Sequence, residues 1–142
     1  MNAFSKILLV LCAGAATWTV TAGSTSAAFL NANDVIWDAQ AVQGNLILKG
    51  KYKESPENGM LEQTLEVEFQ HINPGTTIAI SVDGMHVGNA TAGSDRVARF
   101  RLFKLVTPGP DGRPTGPRVN TGSILTVSRG GASMSATFAL RP

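Results

Sequence analysis

Apolar and polar residues alternate along most of the chain from residue 45 onward, which is the pattern of half-buried β-strands. The clearest case surrounds Asp83-Gly84, a dipeptide that favours a two-residue hairpin turn because both central positions need a positive φ. Residues 74–89 are therefore predicted to form a hairpin with one apolar face. Counting outward from the turn gives the expected cross-strand pairs: Val82 with Met85, Ile80 with Val87, and Ile78 with Asn89.

Residues 45–53 and 60–71 predict a second hairpin, with 54–59 as its turn. Leucines, Val67 and two aromatic residues, Tyr52 and Phe69, share one face of these strands, whereas lysines and glutamates share the other. The expected pairs are Tyr52 with Leu61, Leu48 with Leu65, Leu46 with Val67, and Lys51 with Glu62. Since Lys51 then lies opposite Glu62, and lysines and glutamates share the outer face, we interpret the lysine stripe as a solvated charge ladder and not as a phosphate-binding surface.

The remaining segments complete the predicted fold. Val35-Ile36-Trp37 is compatible with a short edge strand, and residues 124–128 and 132–140 predict two closing strands around Arg129-Gly130-Gly131. The alternation in residues 97–106 changes phase, which predicts a bulge or sharp bend near Leu102-Phe103. Residues 107–118 carry four prolines and three glycines, so we expect a loop there, either mobile or extended for binding.

These strands, separated by turn residues and without a convincing helix after residue 28, predict an all-β fold. The expected architecture is an antiparallel β-sandwich of about seven strands, with immunoglobulin-like or Greek-key connections. A small β-barrel is the alternative.

Residues 1–28 have the pattern of a secretory signal: Lys6, an apolar run, and then small residues ending at Ala28. We expect a single domain over 29–142, secreted or periplasmic, with no membrane span once the signal is cleaved. The single cysteine, Cys12, lies in the signal, so no disulfide can form within the chain. Removing Lys6 leaves 11 basic and 10 acidic residues, a balance that does not favour nucleic acid as a partner.

No nucleophile elbow, phosphate loop, dinucleotide fingerprint or metal-ligand spacing occurs in the sequence, so we predict no enzyme activity, no cofactor and no metal site. The candidate binding residues are two rings that could stack on a ligand and two arginines of the Pro/Gly loop that could contact an anionic partner: Trp37, Tyr52, Arg113 and Arg118.

Two resemblances concern parts of the chain. His86-Val87-Gly88-Asn89-Ala90-Thr91-Ala92, followed by Val97-Ala98, resembles the zinc-loop exit of copper/zinc superoxide dismutases. In that family the histidine and a following aspartate bind zinc; here Asn89 takes the aspartate position, and the copper histidines and disulfide cysteines are missing. Residues 73–88 and 120–131 resemble small exported bacterial β-sandwich proteins of unassigned function, a resemblance that implies a fold only.

The sequence therefore predicts a secreted, non-enzymatic binding or structural module, with a protein or a cell-surface glycan as its partner. A carbohydrate-binding domain using Trp37 and Tyr52 is one alternative. A metal-dependent, dismutase-like enzyme is another.

Overall fold

The structure, a computed structural model, describes residues 34–142 and contains nine β-strands. The predicted signal segment, 1–28, lies outside the described residues. The strands are β1 (Val35–Gln43), β2 (Leu46–Glu57), β3 (Met60–Gln70), β4 (Thr77–Val82), β5 (Met85–Thr91), β6 (Val97–Val106), β7 (Ile124–Arg129), β8 (Ala132–Thr137) and β9 (Ala139–Leu140). Across this range there is no helix long and apolar enough to cross a membrane.

The strands form two antiparallel sheets that pack as a β-sandwich. This confirms the predicted all-β fold, and the architecture is the expected sandwich and not the alternative barrel. The first sheet has the order β6-β3-β2-β1-β9, and the second has the order β5-β4-β7-β8. Alternate side chains from both sheets meet between the layers, because successive residues of a strand point to opposite faces. The largest fully buried side chains include Trp37, Leu48, Ile80, Leu125 and Phe138.

The first strand is longer and more central than the sequence indicated. We expected a short edge strand at residues 35–37, but β1 runs for nine residues and pairs with β2 on one side and β9 on the other. Burial explains the difference, because Trp37 and Ala39 both face the core and hold the strand inside the sheet.

The Asp83-Gly84 hairpin forms as predicted at its turn: both residues have positive φ, and Val82 pairs with Met85. Farther out, the register shifts between Ile80 and Ser81, so that Ile80 pairs with Gly88 and not with Val87. The predicted pairs beyond the turn are therefore wrong by one residue. A bulge of this kind turns the later residues of its strand to the other face, and Ala90 is accordingly buried.

The β2–β3 hairpin turns at Asn58-Gly59, and residues 54–57 belong to the strand and not to the predicted turn. Each predicted cross-strand pair is consequently displaced by four residues. The observed pairs include Tyr52 with Leu65, Leu48 with Phe69, Lys51 with Glu66, and Lys49 with Glu68. Because a shift of four residues keeps every side chain on its face, Leu48 and Tyr52 still meet apolar residues, and Lys49 and Lys51 meet glutamates.

No bulge interrupts β6, which pairs with β3 in continuous register from Val97 to Val106. The prediction of a bulge near Leu102-Phe103 is therefore wrong. The regular strand leaves Phe103 and Leu105 on the outer face, about half exposed. The phase change in the sequence reflects two apolar residues on the solvent side of the sheet.

The chain changes sheets after β8, where one strand was predicted over 132–140. Phe138 is buried between the sheets, its N–H donates to the Ser123 carbonyl, and its own carbonyl accepts from the Gly122 N–H, at 2.8 Å each. Residues 139–140 then pair with β1 in the other sheet.

Candidate binding cleft

A buried arginine anchors the Pro/Gly loop to the first sheet. Arg113 pairs with Glu54 of β2 through two hydrogen bonds, Nη2–Oε1 at 2.7 Å and Nε–Oε2 at 3.0 Å. The same guanidinium donates to the Val119 carbonyl at 2.6 Å and to the Asn120 side chain, and it lies 4.8 Å from the centre of the Trp37 ring. A planar, five-donor group suits this task, since it can bind a carboxylate at two points and also stack on an aromatic face.

The polar network continues from Glu54 to the wall of a cleft. The Tyr52 hydroxyl donates to Glu54 Oε1 at 2.8 Å and accepts from Gln63 Nε2 at 2.6 Å. Gln63 Nε2 also donates to the Pro117 carbonyl at 2.7 Å. Glu54, Gln63 and Arg113 therefore fix the path of the chain from 113 to 120.

Burial raises the pKa of the Tyr52 phenol well above its ordinary value, and the nearby Glu54 carboxylate raises it further. The hydroxyl consequently stays neutral and remains a hydrogen-bond donor. Every buried side-chain polar atom among the described residues has a partner, so the network is complete without a ligand.

The cleft opens between the β4–β5 hairpin, the inner side of β6 and residues 117–119, and it has a volume of about 270 Å³. Its floor is apolar, formed by Leu65, Val82, Met85, Val87, Leu102 and Val119. Met85 is 56% exposed, so part of this apolar surface contacts solvent. The volume is below the usual range for whole small-molecule ligands, and it suits one or two apolar side chains of a larger partner.

The rim of the cleft carries positive charge from Lys104 and Arg118, with His86 and Asp83 beside them. Arg118 donates to Asp111 at 2.6 Å, a hydrogen bond that lowers the pKa of that carboxyl. Asp83 accepts from the Ile124 N–H at 2.7 Å. Within residues 34–142 no ion pair involves Lys104, so its ammonium is available to an anionic group.

The structure brings the four sequence-predicted site residues into one region, but in different roles. The Trp37 and Tyr52 rings lie 5.6 Å apart and are only 2% and 3% exposed, so they are core residues, with the Tyr52 edge at the base of the cleft. Arg113 is buried beneath the loop and faces Glu54. Only Arg118 lies at the rim, partly exposed.

Sequence reasoning missed Glu54, Gln63 and Lys104, although a signal for each was present. All three share the inward parity of their strands, next to Tyr52, Leu65 and Leu102 respectively. A charged or amide side chain at an inward position predicts a buried partner or a functional cleft.

The outer face of the first sheet is also charged, but its charges are balanced. One row across the sheet reads Asp38, Lys51, Glu66 and Arg101 in register, and Arg141 pairs with Asp38 at 2.6 Å. Alternating signs of this kind leave no continuous surface of one charge.

The two histidines do not form a shared site. His86 borders the cleft, whereas His71 borders a separate pocket that is also lined by Gln43 and Met134. Among residues 34–142 no group of three or more histidine, cysteine or acidic side chains is placed to hold a metal ion. No protein-family model matches the chain, and no curated protein matches it significantly.

Proposed function

We propose that the chain is an exported, non-enzymatic binding or assembly module that holds an apolar, negatively charged segment of a partner protein in the cleft. One observation supports this above all: the partly exposed floor around Met85 and Leu102 lies next to the ammonium of Lys104, which has no ionic partner within residues 34–142. Apolar surface supplies affinity, whereas a rim charge favours partners of opposite sign. Export rests on the signal-like pattern of residues 1–28.

A protein partner fits better than a glycan. The two rings proposed for sugar stacking are buried, whereas the cleft is apolar and of side-chain size. A dismutase-like activity has no support from the residues around His86, because Asn89, at the aspartate position of that motif, is exposed on β5.

The test is retention of envelope proteins from the source cells on the immobilised chain. Met85→Asp places a negative charge on the cleft floor, and Val42→Asp makes the same change at an exposed residue of β1 that does not line the cleft. We expect a partner to be retained by the native chain and by Val42→Asp, and retention to fall at least tenfold with Met85→Asp. Equal retention by both variants, or no retained partner, would contradict the proposal.

A further inference from the structure

β6 is an edge strand whose second half is open on the side away from β3. Its beginning is covered: Ala98 forms an isolated bridge with Ala92, and the Gly93 N–H donates to the Val97 carbonyl at 3.1 Å. Beyond these contacts, no other strand within residues 34–142 pairs with this side of β6. The open edge therefore runs from residue 101 to 106.

The backbone groups on this edge can be assigned by alternation. The N–H and C=O of successive strand residues point to opposite sides, and the Val97 carbonyl points to the open side. The same groups of Arg101, Phe103 and Leu105 consequently point away from β3, whereas those of residues 102 and 104 point toward it. An extended segment could pair with all three free positions.

The side chains along this edge form two distinct surfaces. On the outer face, Arg101 is followed by Phe103 and Leu105, which are 52% and 51% exposed. On the inner face, Leu102 and Lys104 border the cleft. An added strand would place its alternate residues on the same two faces.

Charge specifies what kind of strand fits. The row Asp38, Lys51, Glu66, Arg101 alternates in sign and ends at the open edge, so an acidic residue would continue it. Lys104 has no ionic partner in the described part of the chain and also favours an acidic neighbour. The three residues Leu102, Phe103 and Leu105 favour apolar neighbours.

We propose that β6 accepts an extended segment of a partner protein as an additional antiparallel strand. Read from its N-terminus, the segment has the pattern apolar, acidic, apolar, apolar, acidic, opposite residues 105 to 101 in turn. Main-chain hydrogen bonds supply affinity, and the alternate side chains supply specificity. The inference rests on the proposed function and deepens it, because the inward residues of the added strand enter the cleft.

The first experiment uses the acetylated, amidated peptide TVEVVET with the full chain and follows amide hydrogen exchange. We expect the amides of Arg101, Phe103 and Leu105 to slow at least tenfold on binding, whereas those of Leu102 and Lys104 are already protected by β3. Peptide binding without protection of these three amides would overturn strand addition and leave cleft binding intact. Retention of a partner that is insensitive to Met85→Asp would instead contradict the proposed function.

The second experiment is a charge exchange. Arg101→Glu is expected to weaken TVEVVET at least tenfold and to bind TVEVVKT, in which lysine replaces the glutamate opposite position 101. The native chain should prefer TVEVVET and the Arg101→Glu variant should prefer TVEVVKT. If neither shows this preference, the proposed register is wrong.

The third experiment tests the backbone. Phe103→Pro removes an N–H from the open edge without removing a bond to β3, and Phe103→Ala is its matched control. Proline should abolish binding, whereas alanine should weaken it only a few-fold; equal effects would overturn the proposal.

The competing interpretation is that Lys104 only protects the edge of β6 against pairing with another strand. If that interpretation is correct, TVEVVET does not bind and Lys104→Thr makes the chain self-associate. Such a result would overturn the proposal that β6 accepts a partner strand.

Discussion

Arg113 and Glu54 lie 59 residues apart in the sequence and form a two-point ion pair beneath the Pro/Gly loop, with both side chains less than 10% exposed. The pair joins the loop to β2, and the carbonyl of Val119 and the side chain of Asn120 complete the arginine's bonding. The loop is therefore part of the folded core on one side and the wall of the cleft on the other.

Arg113→Ala is expected to destabilise the protein by about 3–5 kcal/mol, because it leaves the Glu54 carboxylate buried without its cation. Urea unfolding of the native chain and the variant measures this change. Arg118→Ala is the control: its pair with Asp111 is about one-third exposed, so the expected loss is about 0–1 kcal/mol. Similar losses for both arginines would show that the buried pair has no special role.

Removing both charges tests whether the stability depends on the Arg113–Glu54 pair and not on the arginine alone. The double variant Arg113→Met with Glu54→Met is expected to lose less stability than the sum of its two single variants, because neither charge is left buried alone. Additive losses in a double-mutant cycle would indicate that the two side chains act independently.

Tyr52 predicts a specific loss of stability at alkaline pH. Its pKa is raised in the folded state, mainly by burial, so its contribution is fully present below the unfolded value near 10 and declines as pH rises above it. The slope approaches about 1.4 kcal/mol per pH unit for one proton. Tyr52 is the sole tyrosine of the chain, so phenolate absorbance should appear only with unfolding.

The Tyr52→Phe variant provides the comparison. It is less stable at pH 8, since Gln63 and Glu54 each lose a hydrogen-bond partner. Its deficit relative to the native chain should shrink between pH 9 and 11. A deficit that is constant over this interval, or phenolate absorbance at an ordinary pKa in the folded protein, would contradict the assignment.

Alternation predicted the strands and their buried faces because each face repeats every second residue, and this holds whatever the pairing partner. Register was harder. Residues 54–59 look like one polar turn, but only Asn58-Gly59 takes the positive φ values of a tight reversal. The displacement by four residues kept all faces intact, so face patterning alone could not detect the error.

The site was only partly predictable for the same reason. Glu54, Gln63 and Lys104 occupy inward positions that mark them as exceptions. However, Glu54 and Gln63 bind to residues 113 and 117, and Lys104 borders a cleft that the β4–β5 hairpin completes. Contacts between segments so far apart depend on how the sheets pack, which local alternation does not determine. Phe103 and Leu105 were misread as a bulge because apolar residues are expected to face inward.

Gly59→Ala tests the corrected turn. Gly59 has φ +80°, a left-handed conformation that costs a residue with a Cβ roughly 1–2 kcal/mol. We expect a loss of that size in thermal or urea unfolding. Asn58→Gly, at the neighbouring turn position with φ 50°, is the control and should change stability by only a few tenths of a kcal/mol. The reverse ranking would favour the longer turn over residues 54–59.

Gly50 tests how closely the two sheets pack. A Cβ at this position of β2 would lie 2.6 Å from Leu125 Cδ2 and 3.2 Å from the Phe138 ring, and both of these side chains are buried between the sheets. Replacing a glycine at a compatible backbone position gains about 0.4–1 kcal/mol from the unfolded state, but overpacking costs about 1–3 kcal/mol, so we expect Gly50→Ala to destabilise. Leu125→Val in the same chain shortens the opposing side chain and should recover part of the loss, seen as a favourable coupling in a double-mutant cycle. If Gly50→Ala raises stability, or if the two losses simply add, the sheets must be farther apart at this point than the contact with Leu125 requires.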